Sequence, residues 1–136
     1  MISPYIHFQG NCREAMQTYQ AIFGGDLQLM TYGEMPQPEE RHKGSTLVMH
    51  SALMTPDVGN LAASDFPPGV TGDPQQAVSI SVELKTAERA QEVYAALVDG
   101  GDVVFPMGPS FFSPAFGMLK DRFGTHWIVM ATPAQG

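Results

Sequence analysis

Hydrophobic positions along this chain follow two periods, and each period recurs. Ala15, Met16, Tyr19, Ile22 and Phe23 stand at helical spacing, after Asn11 with Glu14 three residues on and before Gly24-Gly25. That pattern predicts an amphipathic helix with a capping-type start and a glycine stop, its apolar stripe turned to a sheet. A second stripe, Ala90, Val93, Tyr94, Leu97 and Val98, opens after Thr86 and closes at Gly100-Gly101. Before each helix the period drops to two. Ile6 and Phe8 alternate with Tyr5 and His7, and Val78, Ile80 and Val82 alternate with Ser79 and Ser81, as half-buried strands do.

The two halves match. Asn11, Glu14, Ala15, Tyr19, Ala21 and Ile22 line up with Thr86, Arg89, Ala90, Tyr94, Ala96 and Leu97 at one constant spacing of 75 residues. An internal repeat of this kind makes one supersecondary unit the building block. Each helix is followed by a predicted strand, at 26–32 and 102–105, and then by a strand pair, 46–54 with 60–64 and 111–119 with 125–130. The turns between paired strands carry Pro56-Asp-Val-Gly59 and Asp121-Arg-Phe-Gly124. The first copy holds extra residues, placed in the polar loop Pro36 to Ser45, and a Pro- and Gly-rich stretch joins the copies. The prediction is a single α+β domain over 1–136: a βαβββ module at about 1–66, a linker at about 67–76 and a second βαβββ module at about 77–132. Two such modules are expected to form a cupped mixed sheet with helices on the convex side and a concave face for a ligand.

Composition narrows the partners. Seven Lys and Arg against fourteen Asp and Glu give a net charge of −7, which opposes phosphate backbones and anionic membrane surfaces. Nucleic acid and membrane are therefore not expected partners. The single cysteine, Cys12, cannot form an intrachain disulfide and has no zinc-type neighbours. With no basic, apolar leader and no stretch able to span a bilayer, the expected compartment is the cytoplasm.

Pro4-Tyr-Ile-His-Phe-Gln-Gly-Asn11, Glu14-Ala15, Tyr19, Tyr32-Gly-Glu-Met-Pro36, Met49-His50-Ser-Ala52 and Asp121-Arg-Phe-Gly124-Thr-His-Trp127, set in a doubled βαβββ plan, resemble the PhnB-type branch of the glyoxalase/bleomycin-resistance superfamily, also called vicinal oxygen chelate. The resemblance runs from Ser3 to about Met130. It implies a cupped sheet, a homodimer whose modules can share a site, and, in the enzymes, a divalent metal that polarises substrate oxygens. Other members only bind a small molecule, so fold alone does not separate enzyme from binder. Members have also been labelled demethylubiquinone methyltransferases, but no glycine-rich nucleotide turn follows a strand here.

In the metal-dependent enzymes, the resemblance places His or Glu ligands on the first and last strands of each module. By register these positions fall near Ser3 or Pro4, near Ala77, and at Ala63 and Ile128. A one-residue slip offers Trp127 or Thr125, and Ser64 or Asp65. No full ligand set results, so neither metal nor other cofactor is expected, a divalent metal being the alternative.

The remaining chemistry lies with histidines, two carboxylates and aromatics. On 46–54 the more apolar alternate set should face the helix, leaving His50 on the ligand side, and His7 and Tyr5 follow by the same reasoning. There they could move a proton or hydrogen-bond a ligand, or simply be satisfied by neighbours. His42 is expected on the surface, and His126 on either side. Glu34 is a candidate base or ligand beside His50, or part of a turn, and Asp65 likewise a rim carboxylate or a cap. Phe112, Phe116 and Trp127 complete the expected pocket, with Phe111 on the same strand. The expected function is a small-molecule-binding homodimer built on Tyr5, His7, His50 and these rings. The alternatives are a lyase, isomerase or dioxygenase whose metal site uses His50 and Glu34 with groups from a second chain, and a protein-binding module.

Overall fold

Both helices form where the apolar stripes lie. In the computed structural model, which describes residues 2–36 and 39–133, α1 spans Cys12–Phe23 and α2 spans Ala87–Val98. The strands are β1 (Tyr5–Phe8), β2 (Asp26–Thr31), β3 (Val48–Met54), β4 (Asn60–Asp65), β5 (Ser79–Leu84), β6 (Asp102–Gly108), β7 (Phe116–Lys120) and β8 (His126–Ala131). The chain divides into two compact units, Met1–Gln75 and Gln76–Gly136. Each is one βαβββ module with a four-stranded sheet, ordered β1-β4-β3-β2 in the first and β5-β8-β7-β6 in the second. In both, the first strand runs parallel to the last, and the other pairs are antiparallel.

Each helix covers one face of its own sheet. In module 1, Ala15, Met16 and Tyr19 are fully buried together with Leu53 and Ala63, and Ile6 and Phe8 turn to the same side. In module 2, Ala90, Val93 and Leu97 meet Val82, Leu119 and Val129. Fully burying one such leucine or valine is worth roughly 1.5–3 kcal/mol, so these facing sets hold helix to sheet. Close approach is enforced at matching turns. A Cβ at Gly25 would run into the carbonyl of Met54, and one at Gly101 into that of Lys120, so the strand after each helix can start only on glycine.

The two helix starts differ. Thr86 Oγ1 accepts from the Arg89 N–H at 3.1 Å, an ordinary cap. Asn11, expected to do the same for α1, makes no side-chain cap bond. Asp65 replaces it. At the end of β4, its Oδ1 accepts from the N–H groups of Gly10 (2.9 Å) and Cys12 (3.0 Å), and its Oδ2 from Val48 (2.8 Å). One buried carboxylate thus closes the helix N-terminus and the start of β3, which settles its role as a cap rather than a rim group.

Two strand boundaries shift by more than two residues from the sequence pattern. The strand predicted from 111 begins at Phe116, because bonds between Ser110 and Ser113 fold Phe111 and Phe112 into a turn before it. Phe111 and Phe112 therefore sit on a loop. β6 runs on to Gly108, past the expected end at 105. In the loop expected at Pro36 to Ser45, Gln37 and Pro38 lie outside the described residues. The rest includes Glu40–His42 as a 3-10 turn.

Candidate functional site

Parallel and antiparallel registers assign every strand residue of module 1 to one of two faces. Tyr5 and His7 on β1, Ala62 and Ser64 on β4, and His50 and Ala52 on β3 all point away from α1. β4 lies between β1 and β3, and its side chains there are small. Tyr5 therefore reaches over Ala62, and its hydroxyl meets His50 Nδ1 at 3.1 Å. The Tyr5 and His50 rings stack with centroids 5.8 Å apart, and the Tyr5 ring tilts on His7 at 5.1 Å. His7 in turn stacks on Phe66 at 5.5 Å, while its Nδ1 meets the Ser64 hydroxyl at 3.3 Å. This makes a continuous row, His50, Tyr5, His7 and Phe66, along the open face of one sheet. Tyr5 is 45% exposed, so the row is open to a ligand.

A phenol is the stronger acid of the Tyr5–His50 pair and an imidazole nitrogen the better base, so Tyr5 donates to His50 Nδ1. The Ser64 hydroxyl faces His7 Nδ1 in the same way, the imidazole nitrogen being the better acceptor of the two. With Nδ1 accepting, the ring proton of each neutral histidine sits on Nε2. Each ring nitrogen left for a ligand is thus a donor.

Other candidate residues are placed elsewhere. Glu34 lies in a 3-10 turn, Tyr32–Glu34, where its carboxylate accepts from Thr31 Oγ1 at 2.9 Å and from the Thr31 N–H at 3.4 Å. Both bonds use Oε1, so one oxygen of the carboxylate shapes that turn. Trp127, expected to line the pocket, is corrected: it is 2% exposed on the helix side of β8, and its indole N–H donates to Asp121 Oδ2 at 2.9 Å. The turn between β7 and β8 sets this parity, since a shift of one residue exchanges the faces of a strand. Phe116 lies on the other face, opposite Met130, and touches Phe112 edge-on at 4.9 Å and Phe105 at 5.7 Å. Phe112 and Phe116 thus belong to an aromatic cluster of module 2. His126 stands on that open face beside Lys120 and Ser79.

His42 is a second correction. Expected in solvent, it is 7% exposed, with its ring 5.0 Å from that of Tyr32 and neither ring nitrogen bonded among the described residues. The fold-back of 39–45 that buries it has no periodic signature. The sequence offers Ser64 only as a slipped ligand position and gives no sign that it partners His7. Its place beside His7 in the parallel pair could be found only once β1 and β4 were known to be neighbours.

Burial explains the other buried groups. Cys12, inside α1 beside Ser51 at 3.6 Å, has its thiol pushed up to about 12 by burial above all, with the Ser51 contact pulling the other way. Such a thiol is a packing group and no nucleophile. Burial also raises the phenols of Tyr32 and Tyr94 above the ordinary range. Tyr32 donates to the carbonyl of Asp65 at 2.8 Å, and Tyr94 lies 3.1 Å from that of Phe105.

The metal implied by the superfamily can be tested on these donors. Ala63, one register position, is fully buried on the helix side. Five residues separate the paired strands in each module, so its counterpart is Val129 and not Ile128, the turn glycines standing one place apart. Ala77 precedes β5 with a left-handed φ of 58°. No three His, Cys, Asp or Glu side chains converge among the described residues. The donor set of either module does not fit a metal. Nor does it fit a nucleotide-type methyl donor bound at the start of α1, where the Asp65 carboxylate already takes the N–H groups that an anionic ligand needs.

The chain matches the family model described as 3-demethylubiquinone-9 3-methyltransferase over residues 1–130. It is 36% identical to protein PA1353 from Pseudomonas aeruginosa, covering 98% of both chains with a TM-score of 0.87. A PhnB protein from Bacillus cereus is 25% identical over 96% of this chain and 98% of its own, with a TM-score of 0.71. The fold is shared with a glyoxylase/bleomycin resistance protein/dioxygenase domain from Frankia sp. EAN1pec. That domain is 13% identical over 100% of this chain and 93% of its own, at a TM-score of 0.63.

Proposed function

Because the chain belongs to the PhnB-like family described as 3-demethylubiquinone-9 3-methyltransferase, with the fold of the glyoxalase/bleomycin-resistance superfamily, we propose that it binds a small organic molecule on the open face of module 1. The observation that carries this reading is the Tyr5 hydroxyl held 3.1 Å from His50 Nδ1 across the small side chain of Ala62. Two imidazoles fixed by hydroxyl groups, beside an exposed aromatic surface, supply what a recognition site needs: apolar area and a few oriented polar groups. Tyr5 and Phe66 contribute contact area, and His7 and His50 contribute directional hydrogen bonds. A flat, solvent-open face holds a ligand weakly on its own, so the working unit is read as a homodimer in which a second copy helps to enclose the ligand. Methyl transfer is not part of the proposal, since the Asp65 carboxylate already takes the N–H groups at the start of α1.

A fragment screen by NMR on protein labelled in histidine and tyrosine side chains tests the reading. Binders are expected to move the ring signals of His50, His7 and Tyr5, and His50→Ala is expected to weaken them about tenfold, which is about 1.4 kcal/mol. Binders that move only signals elsewhere would overturn it.

A further inference from the structure

Hydrogen-bond polarity along the row gives the class of ligand. In the tautomer whose Nδ1 accepts from Tyr5 or from Ser64, each Nε2 carries a hydrogen when the ring is neutral, and it does so also when the ring is protonated. The two imidazoles are donors in either charge state, and Gln28, paired with Ala52, is a further exposed polar side chain on the same face. Among the described strand residues of module 1, no carboxylate stands next to the two rings. Asp65 points to the helix side and is spent on three backbone N–H groups, and Glu34 is bonded to Thr31. The one strand carboxylate on the open face, Asp26, is paired with Met54 while Met30 is paired with His50. Four residues along β2 place it about 13 Å from the His50 rung. The rest of the row is aromatic: the exposed Tyr5 ring, inclined at 43° to His7, and His7 stacked on Phe66 with 22° between their planes.

Resting on the small-molecule reading above, we infer that the ligand is a planar aromatic carboxylate or a close conjugated analogue. Its ring lies on the Tyr5–His7–Phe66 surface and its oxygens accept from the Nε2 hydrogens of His50 and His7. A cation would meet two donors, and a non-planar acid would lose the stacking.

Four probes of similar size separate the possibilities: salicylate, benzamide, benzamidine and cyclohexanecarboxylate, each titrated into the intact protein at constant ionic strength and followed through the side-chain signals of His50 and His7. Salicylate is expected to bind at least tenfold more tightly than benzamidine and several-fold more tightly than the other two. Tyr5→Phe, which keeps the ring and removes the donor, is expected to weaken salicylate about fivefold. It should also shift the ¹⁵N pattern of His50 away from the Nε2–H form, a signature that loss of stability would not produce. Equal binding of all four probes at these histidines, or a preference for benzamidine, would overturn the ligand class and leave the small-molecule site standing. Failure of these and all other fragments to move the row would remove both.

Discussion

Single residues carry opposite chemistry according to their face. His50 and His7 alternate with buried neighbours and present donors to solvent, while Cys12, one turn of chain away, is sealed by α1 and Ser51. Its thiol, at 9.0 when unperturbed, is raised to about 12 by burial. A folded value above the unfolded one means that the neutral thiol stabilises the fold fully below pH 9.0, and that this contribution is lost as pH rises from 9.0 through about 12. The expected slope is roughly 1.4 kcal/mol per pH unit in that window. Urea denaturation of wild type and Cys12→Ala across it is expected to show the steeper loss in wild type. Parallel pH profiles would contradict the assignment. Cys12 opens α1, where the field of a helix start lowers a thiol pKa, but burial decides the sign.

At the scale of elements, Asp65 links what the repeat keeps separate: the end of β4, the start of β3 and the N-terminus of α1. In Asp65→Asn the amide NH₂ would face backbone N–H groups that need an acceptor. The charge-assisted bonds would be lost as well, so we expect a cost of roughly 3 kcal/mol. Thermal or urea unfolding measures it. A change below about 0.5 kcal/mol, the ordinary range for surface substitutions, would show that the clasp contributes nothing. Asp121 has the related task in module 2. It accepts from the N–H groups of Phe123 and Thr125 and from the Trp127 indole, and so fixes the turn and turns the tryptophan inward. The periodicity made both helices and most strand positions legible. It did not show that α1 takes its cap from 53 residues away, because propensity and local spacing carry no information about contacts made by folding the chain back.

For the whole molecule, the homodimer reading rests on family and on surface. Val103, Val104 and Phe105 on the edge strand β6 are more than half exposed, and Phe111 fully so. An edge with unpaired backbone groups and apolar side chains is a surface that a partner commonly covers. Sedimentation equilibrium is expected to give twice the chain mass, with Phe111→Asp weakening the association. A monomer at every concentration would end the shared-enclosure argument. Among the described residues no helix is long and apolar enough to cross a membrane. The sequence by itself determined the doubled βαβββ plan, because a stripe at helical spacing and an alternation of two can each bury an apolar face in one way only. It also put Tyr5, His7 and His50 opposite the core, since parity along a strand is a local property. Tertiary structure alone decided which side chains meet. Tyr5 touches His50 because β4 lies between their strands with alanine on the open face. Trp127 turns inward and His42 is buried because a turn register and a loop fold-back, neither written as a period, fix their directions.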